Sequence, residues 1–259
     1  MADIYLDNNA TTACDPRVVE AMLPYFLEQF GNPSSIHSFG SGVGRAVSKA
    51  RKQVQELLGA AHDSEIIFTS CGTESDNTAI LSALKCFPNR KEIITTAVEH
   101  PAVLALCGQL EKEGYTVHRL KVDGKGRLDL EEYRRLLTPN VVIVSVMWAN
   151  NETGTLFPVE EMAEMAASVG VQFHTDAVQA VGKVPIDLKN SKIDMLSLSG
   201  HKLHAPKGIG VLYLKGGCAF PTLAARRSSG TRAPRRHRER GIGGGSRQGL
   251  RTGARAHGV

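Results

Sequence analysis

The chain has no run of about 18 apolar residues, the least that a membrane-crossing helix needs. Its opening text, MADIYLDNNATT, lacks the basic segment followed by an apolar one that marks a secretory leader. Neither membrane insertion nor export is therefore expected. The five cysteines, Cys14, Cys71, Cys86, Cys107 and Cys218, are odd in number, widely spaced and without a C-x-x-C pair. That pattern argues against a zinc site or a disulfide framework and for a reducing, cytoplasmic setting with no bound metal. Each cysteine alone reads as a small buried hydrophobe. A G-x-x-x-x-G-K-[ST] loop is missing, and GSGVGRA is too compressed for G-x-G-x-x-G and follows no strand, so nucleotide binding is not indicated. Acids are scarce in one place only. Residues 216–259 hold ten arginines against the single acid Glu239, and the rest carries 21 bases and 25 acids, a net charge of about −4. The overall charge of +5 thus belongs to the tail, and no nucleic-acid face is expected of the body.

What is present from about residue 64 is alternation. EIIFTS, KEIITTAV, TVHRLKV, VVIVSVMWA, VQFHTDA, DMLSLS and GIGVLYL read as strands. Between the earlier ones lie helical patterns: GTESDNTAILSALK, PAVLALCGQLEKEG closed by Gly114, DLEEYRRLL, and PVEEMAEMAASVG with Pro158 in its first turn and Gly170 after its last. GVGRAVSKARKQVQELLG, nearer the start, is an amphipathic helix ending at Gly59. The expected fold class is α/β, a mostly parallel sheet with helices on both faces. After Leu214 neither period continues, and the Arg- and Gly-rich text of 216–259 reads as disordered. The domain reading is an N-terminal segment 1–15, a large domain 16–215 and an aberrant tail 216–259.

In open parallel sheets, ligands bind beyond the carboxyl ends of the strands. Polar clusters follow the predicted strands there. Gly72 and Thr73 open a helix and suit a phosphate, or are an ordinary helix start. His100 ends a strand and is by itself as consistent with a hydrogen-bonded structural histidine. Asn150 and Asn151 follow the most apolar strand, where turn chemistry is the plain alternative. Asp176 follows a strand with Gln179 three residues on, and a carboxylate at that depth calls for a cationic partner. Ser199, Gly200, His201 and Lys202 follow DMLSLS, although a lysine at a strand end is often a solvated cap. Taken together they supply an anion cradle, an imidazole, a carboxylate, an amide donor and an amine, the set that pyridoxal 5'-phosphate requires.

On these stretches, with YLDNNATT, FGNPSSIHSFG, IIFTSCGTESDN, VEHPAV, MWANNETGTLFP, FHTDAVQAVGKVPIDL and LSLSGHKLHAPKGIGVLYL, the chain resembles the NifS-type cysteine desulfurases, class V aminotransferases of fold type I. SCGTES and SLSGHKLHAPKG look most like the nitrogen-fixation branch. The resemblance implies that Lys202 binds the cofactor covalently and shuttles protons at the substrate α-carbon. Asp176 would keep the pyridine nitrogen protonated, Gln179 would bond the phenolic oxygen, and His100 would stack on the ring and serve in catalysis. Thr73, Gly72, Ser199, Gly200 and His201 would hold the phosphate, and Asn151 would contact cofactor or substrate carboxylate. The implied reaction takes L-cysteine to L-alanine and hands sulfur, as a persulfide on an enzyme cysteine, to an iron–sulfur cluster scaffold protein, in a homodimer. Selenocysteine lyase shares most of these motifs, and a non-catalytic scaffold keeping the fold is the alternative of another class.

The resemblance ends near residue 215. The family's Arg-Ala-Gly-Thr-Glu-Asn segment, its substrate-carboxylate arginine, its small C-terminal domain and its nucleophilic cysteine have no counterpart in the sequence. APRRHRER sits where that segment belongs and reads like its codons one base out of register, so the tail is expected to arise from a frameshift or a sequencing error resembling one. Weak cofactor binding and no persulfide formation are expected of such a chain.

Overall fold

The computed structural model describes residues 4–221, and the tail beyond Pro221, with the frameshift reading placed on it, lies outside the described residues. All seven predicted strands form: β1 (Ile66–Thr69), β2 (Glu92–Thr96), β3 (Thr116–Leu120), β4 (Val141–Ser145), β5 (Gln172–Asp176), β6 (Met195–Ser199) and β7 (Gly210–Leu214). They make one sheet in the order β1-β7-β6-β5-β4-β2-β3. Pairings from β3 through β6 are parallel, whereas β7 runs antiparallel to both β6 and β1. The reversal has a simple cause. Only residues 200–209 separate β6 from β7, fewer than the dozen or so that a parallel crossover requires.

The described residues form the helices α1 (Pro16–Leu27), α2 (Ser38–Leu57), α3 (Gly72–Cys86), α4 (Pro101–Lys112), α5 (Leu130–Leu136) and α6 (Val159–Ser168), of which α3 to α6 pack on the sheet. Strand side chains alternate between faces. Accordingly Ile93, Ile143, Met195 and Leu212 pack with Ala79, Ile80, Val103 and Leu110 of α3 and α4. Ile94, Val144, Leu196 and Tyr213 pack with Leu58, Tyr133, Met162 and Ala166 on the other side, from α5, α6 and the residue after α2. Both faces are covered, as the unbroken apolar strands require.

Four local readings change. α1 is not in the sequence reading at all, because Pro24 interrupts its pattern; it starts on the Asp15 cap, whose side chain accepts from the Arg17 N–H, with Pro16 in its first turn. α2 begins four residues before Gly42. Pro158 is the N-cap of α6 and not a residue of its first turn. Residues 216–221, read with the tail, fold back on the body: the Gly216 N–H donates to Glu65 Oε1 at 2.8 Å, and Gln172 Nε2 donates to the Ala219 carbonyl at 2.8 Å. Among the described residues no helix is long and apolar enough to cross a membrane.

Candidate active site

β4, β5 and β6 run in parallel and end side by side, so the residues just past Ser145, Asp176 and Ser199 share one edge of the sheet. Asp176 closes β5. Its carboxylate is buried, Oδ1 accepts from the Val178 N–H at 2.9 Å, and it has no ion pair among the described residues. Burial pushes its pKa up, while the Val178 N–H and the charges of His100 and Lys202 pull it down. The cationic partners called for in the sequence are thus near enough to act, without touching.

Lys202 ends the one-turn 3-10 helix Gly200–Lys202 that follows β6. Its Nζ donates to the Asn9 carbonyl and, at 2.8 Å, to the Ala10 carbonyl. Burial and the neighbouring Lys183 lower its pKa, against the pull of Asp176 and Asp7. His201 turns Nδ1 to Thr11 Oγ1 at 3.0 Å, and its carbonyl accepts from the backbone N–H and hydroxyl of Thr12. Burial, then Lys202 and Lys207, depress its pKa. Gln179 is buried between Asn9 and Lys183: Nε2 donates to the Asn9 carbonyl and Oε1 accepts from Lys183 Nζ, both at 2.8 Å.

Gly72 and Thr73 are the first two residues of α3, whose N-cap Cys71 makes no side-chain capping bond, so their N–H groups have neither an intrahelical partner nor a side-chain cap. A Cβ on Gly72 would stand 3.0 Å from Val178 Cγ2 and 3.5 Å from Ser199 Cβ, which brings the α3 start, the turn after Asp176 and the end of β6 together. His100 is the exposed N-cap of α4, its Nδ1 accepting from the Ala102 N–H at 3.2 Å. The two asparagines part company. Asn150 is buried as turn scaffolding, Oδ1 accepting from the Glu152 and Thr153 N–H groups while Nδ2 donates to the Val98 carbonyl. Asn151 is half-buried, lines a cavity of ≈ 370 Å³ with Glu99 and Pro101, and its carbonyl accepts from Asn9 Nδ2 at 3.1 Å.

Two features escaped the sequence reading. Residues 9–15, set apart there as a separate segment, lie across the site and bond Gln179, His201, Lys202 and His204. Beneath Asp176 sits a buried polar layer on the α3 side of the sheet. His174, two residues before Asp176 and on the same face, bonds Ser145 Oγ through Nδ1 and Ser197 Oγ through Nε2, both at 2.9 Å. Asp76 of α3 approaches His174 Nε2 at 3.5 Å, and its Oδ1 has no hydrogen-bond partner. Burial drives His174 down to about 3, so it is neutral. Burial and then the charge of Asp176 push the Asp76 pKa well up, whereas Asp176, also raised by burial, is pulled down by the Val178 N–H and the charges of His100 and Lys202. Glu99, buried and bonded by the Met147 N–H and Thr96 hydroxyl, is pushed up to about 8 by burial. Polar residues alternating inside apolar strands, as in QFHTD and MLSLS, were the available signal.

Residues 4–222 match the family described as Aminotransferase class-V. The chain is 73% identical over 223 residues to the cysteine desulfurase NifS of Azotobacter vinelandii, covering 86% of this chain and 56% of that protein. It is 64% identical over 224 residues to the cysteine desulfurase of Gluconacetobacter diazotrophicus, with coverage of 86% and 56%. Among solved structures, a NifS-like protein superimposes with a TM-score of 0.82 at 40% identity, over 85% of this chain and 60% of that one. A second, SspA in complex with cysteine, gives 0.79 at 38% identity, over 82% and 61%. The chain spans 56% of the length of the curated relatives quoted.

Proposed function

Because the chain belongs to the aminotransferase class-V family, we propose that it is the cofactor-binding part of a cysteine desulfurase, a pyridoxal phosphate enzyme that converts L-cysteine to L-alanine and retains the sulfur as a persulfide. The names of its relatives support the activity, and the relative solved in complex with cysteine supports the substrate. The observation that carries the reading is internal. A buried carboxylate with no ion pair among the described residues, an amine of lowered proton affinity and an uncapped helix start lie at one edge of the sheet. A flat cationic heterocycle bearing a phosphate fits all three.

In this reading Asp176 holds a proton on the ring nitrogen, and Gln179 donates through Nε2 to the phenolic oxygen. His100 would help hold the ring. Gly72, Thr73, Ser199, Gly200 and His201 take the phosphate, and Asn151 the substrate carboxylate. The cofactor, when bound, supplies an electron sink for charge developing at the α-carbon. Lys202 holds it covalently and moves the proton at that carbon. Sulfur leaves by attack of a thiolate on the substrate sulfur: an S–S bond forms, the C–S bond breaks, and its electron pair ends on the carbon that becomes the alanine methyl. Cys107 and Cys218 are poorly suited to that attack, since burial pushes their thiols up to about 11 and about 12. The acceptor of the sulfur is an iron–sulfur cluster scaffold, and the working unit a cytoplasmic homodimer.

Incubation of the purified chain with pyridoxal phosphate, followed by removal of free cofactor, tests the reading. A retained visible absorption band that Lys202→Ala abolishes is expected; an undiminished band in Lys202→Ala overturns it.

A further inference from the structure

The turn after β5 brings a second lysine to the site that the proposed chemistry does not use. Lys183 Nζ donates to Gln179 Oε1 at 2.8 Å, and the Lys183 N–H bonds the Ala180 carbonyl at 2.9 Å, which ties it to the same turn. An ammonium has donors only. The Gln179 amide is thereby keyed, oxygen toward Lys183 and nitrogen toward the Asn9 carbonyl, which Lys202 Nζ also contacts. With no such key, the two ends of a glutamine amide are nearly equivalent in shape, and either can face a neighbour.

We propose that Lys183 is a positioning residue of this site: it fixes Gln179 as a donor toward the Asn9 carbonyl that Lys202 also contacts, and sets a second positive charge beside the Lys202 amine. The charged groups facing Lys202 are Lys183 from this turn, Asp176 from the end of β5, Asp7 from the N-terminal segment and the adjacent His201. Lys183 opposes protonation of Lys202, and the two acids favour it. An amine with a like charge nearby is more often neutral, and a neutral amine is the form that attacks a carbonyl carbon. The consequence for pyridoxal phosphate rests on the reading above: a fixed donor for its phenolic oxygen and a readier amine for its aldehyde. The geometry between Lys183, Gln179 and Lys202 does not depend on it.

The test compares the full chain with Lys183→Met, which removes donor and charge, and Lys183→Arg, which keeps both. Cofactor-free protein is acylated with trace acetic anhydride across a pH series, and the Lys202 peptide is quantified by mass spectrometry. In Lys183→Met, Lys202 is expected to label about threefold more slowly at pH 8, with its profile displaced upward in pH, as loss of a screened like charge implies. Lys183→Arg restores the wild-type profile. In a second arm, Lys183→Met retains pyridoxal phosphate about threefold or more weakly, at an unchanged melting temperature, and Lys183→Arg rescues it. Identical Lys202 labelling in all three proteins overturns the inference, whatever the cofactor does. Labelling that differs as expected while no protein takes up pyridoxal phosphate leaves the inference standing and overturns the functional reading instead.

Discussion

Burial holds the pKa of Glu99 well above the ordinary carboxyl range, and that has a measurable consequence. Its folded pKa of about 8 lies above the ordinary 4.5, so between those values the folded chain holds a proton that the unfolded chain has lost. Stability contributed by this group therefore falls as pH rises through that window, at up to about 1.4 kcal/mol per pH unit. Glu99→Gln removes the titration, so its melting temperature should rise relative to wild type on going from pH 5 to pH 8. A constant difference across that range would show that Glu99 does not titrate there. Asp176→Ala belongs to the same scale: a pyridinium then lacks its anion, and cofactor affinity should drop at least about tenfold by equilibrium dialysis. Single residues were unevenly legible in the sequence. Asp176, Gln179 and Lys202 stood out because each follows an apolar strand, where a ligand meets an open sheet. Nothing in NN told which asparagine serves the turn, and only the Asn150 side-chain bonds separate the two. His174, Asp76 and Glu99 stayed hidden because their partners come from other elements.

Among elements, the junction of α3 with β7 governs the anion cradle. Gly210, at the start of β7, comes so close to Cys71 that a Cβ there would lie 2.5 Å from the Cys71 carbonyl carbon. That contact is backbone and cannot swing aside. Gly210→Ala should therefore shift the Cys71–Gly72 start of α3, destabilise the chain by about 1–3 kcal/mol in urea unfolding, and weaken cofactor retention. Wild-type stability in this variant would mean that the strand yields freely. The seven strands were readable because each is a short apolar run bounded by turn residues. The direction of β7 was not deduced, although the short link of residues 200–209 contains the answer. α1 went unread because a proline inside a helix contradicts the rule used to find helices, and here Pro24 stays within it.

At the scale of the molecule, order is unequally distributed. The core strands β4 to β7 are buried throughout, whereas α1 buries no residue and Leu23, Phe26, Leu27, Phe30, Ile36 and Phe39 stand exposed around it. A helix of 12 residues without tertiary packing is marginal in water. Amide exchange followed by mass spectrometry should find residues 16–27 exchanging orders of magnitude faster than β4 to β6. Equal protection would mean that α1 is covered in solution. The α/β class and the two-faced packing were legible because periodicity reports burial directly. The path of residues 9–15 over the site was not, because it rests on side-chain hydrogen bonds between residues about 170 to 190 positions apart.

The central claim is that the amine of Lys202 and the carboxylate of Asp176 serve one bound pyridoxal phosphate. Borohydride reduction of the loaded chain, digestion and peptide mass mapping tests it most directly. The pyridoxyl group should fall on Lys202, and its yield should collapse in Asp176→Ala. Label on Lys183 or another lysine in place of Lys202, or undiminished label in Asp176→Ala, would contradict the account.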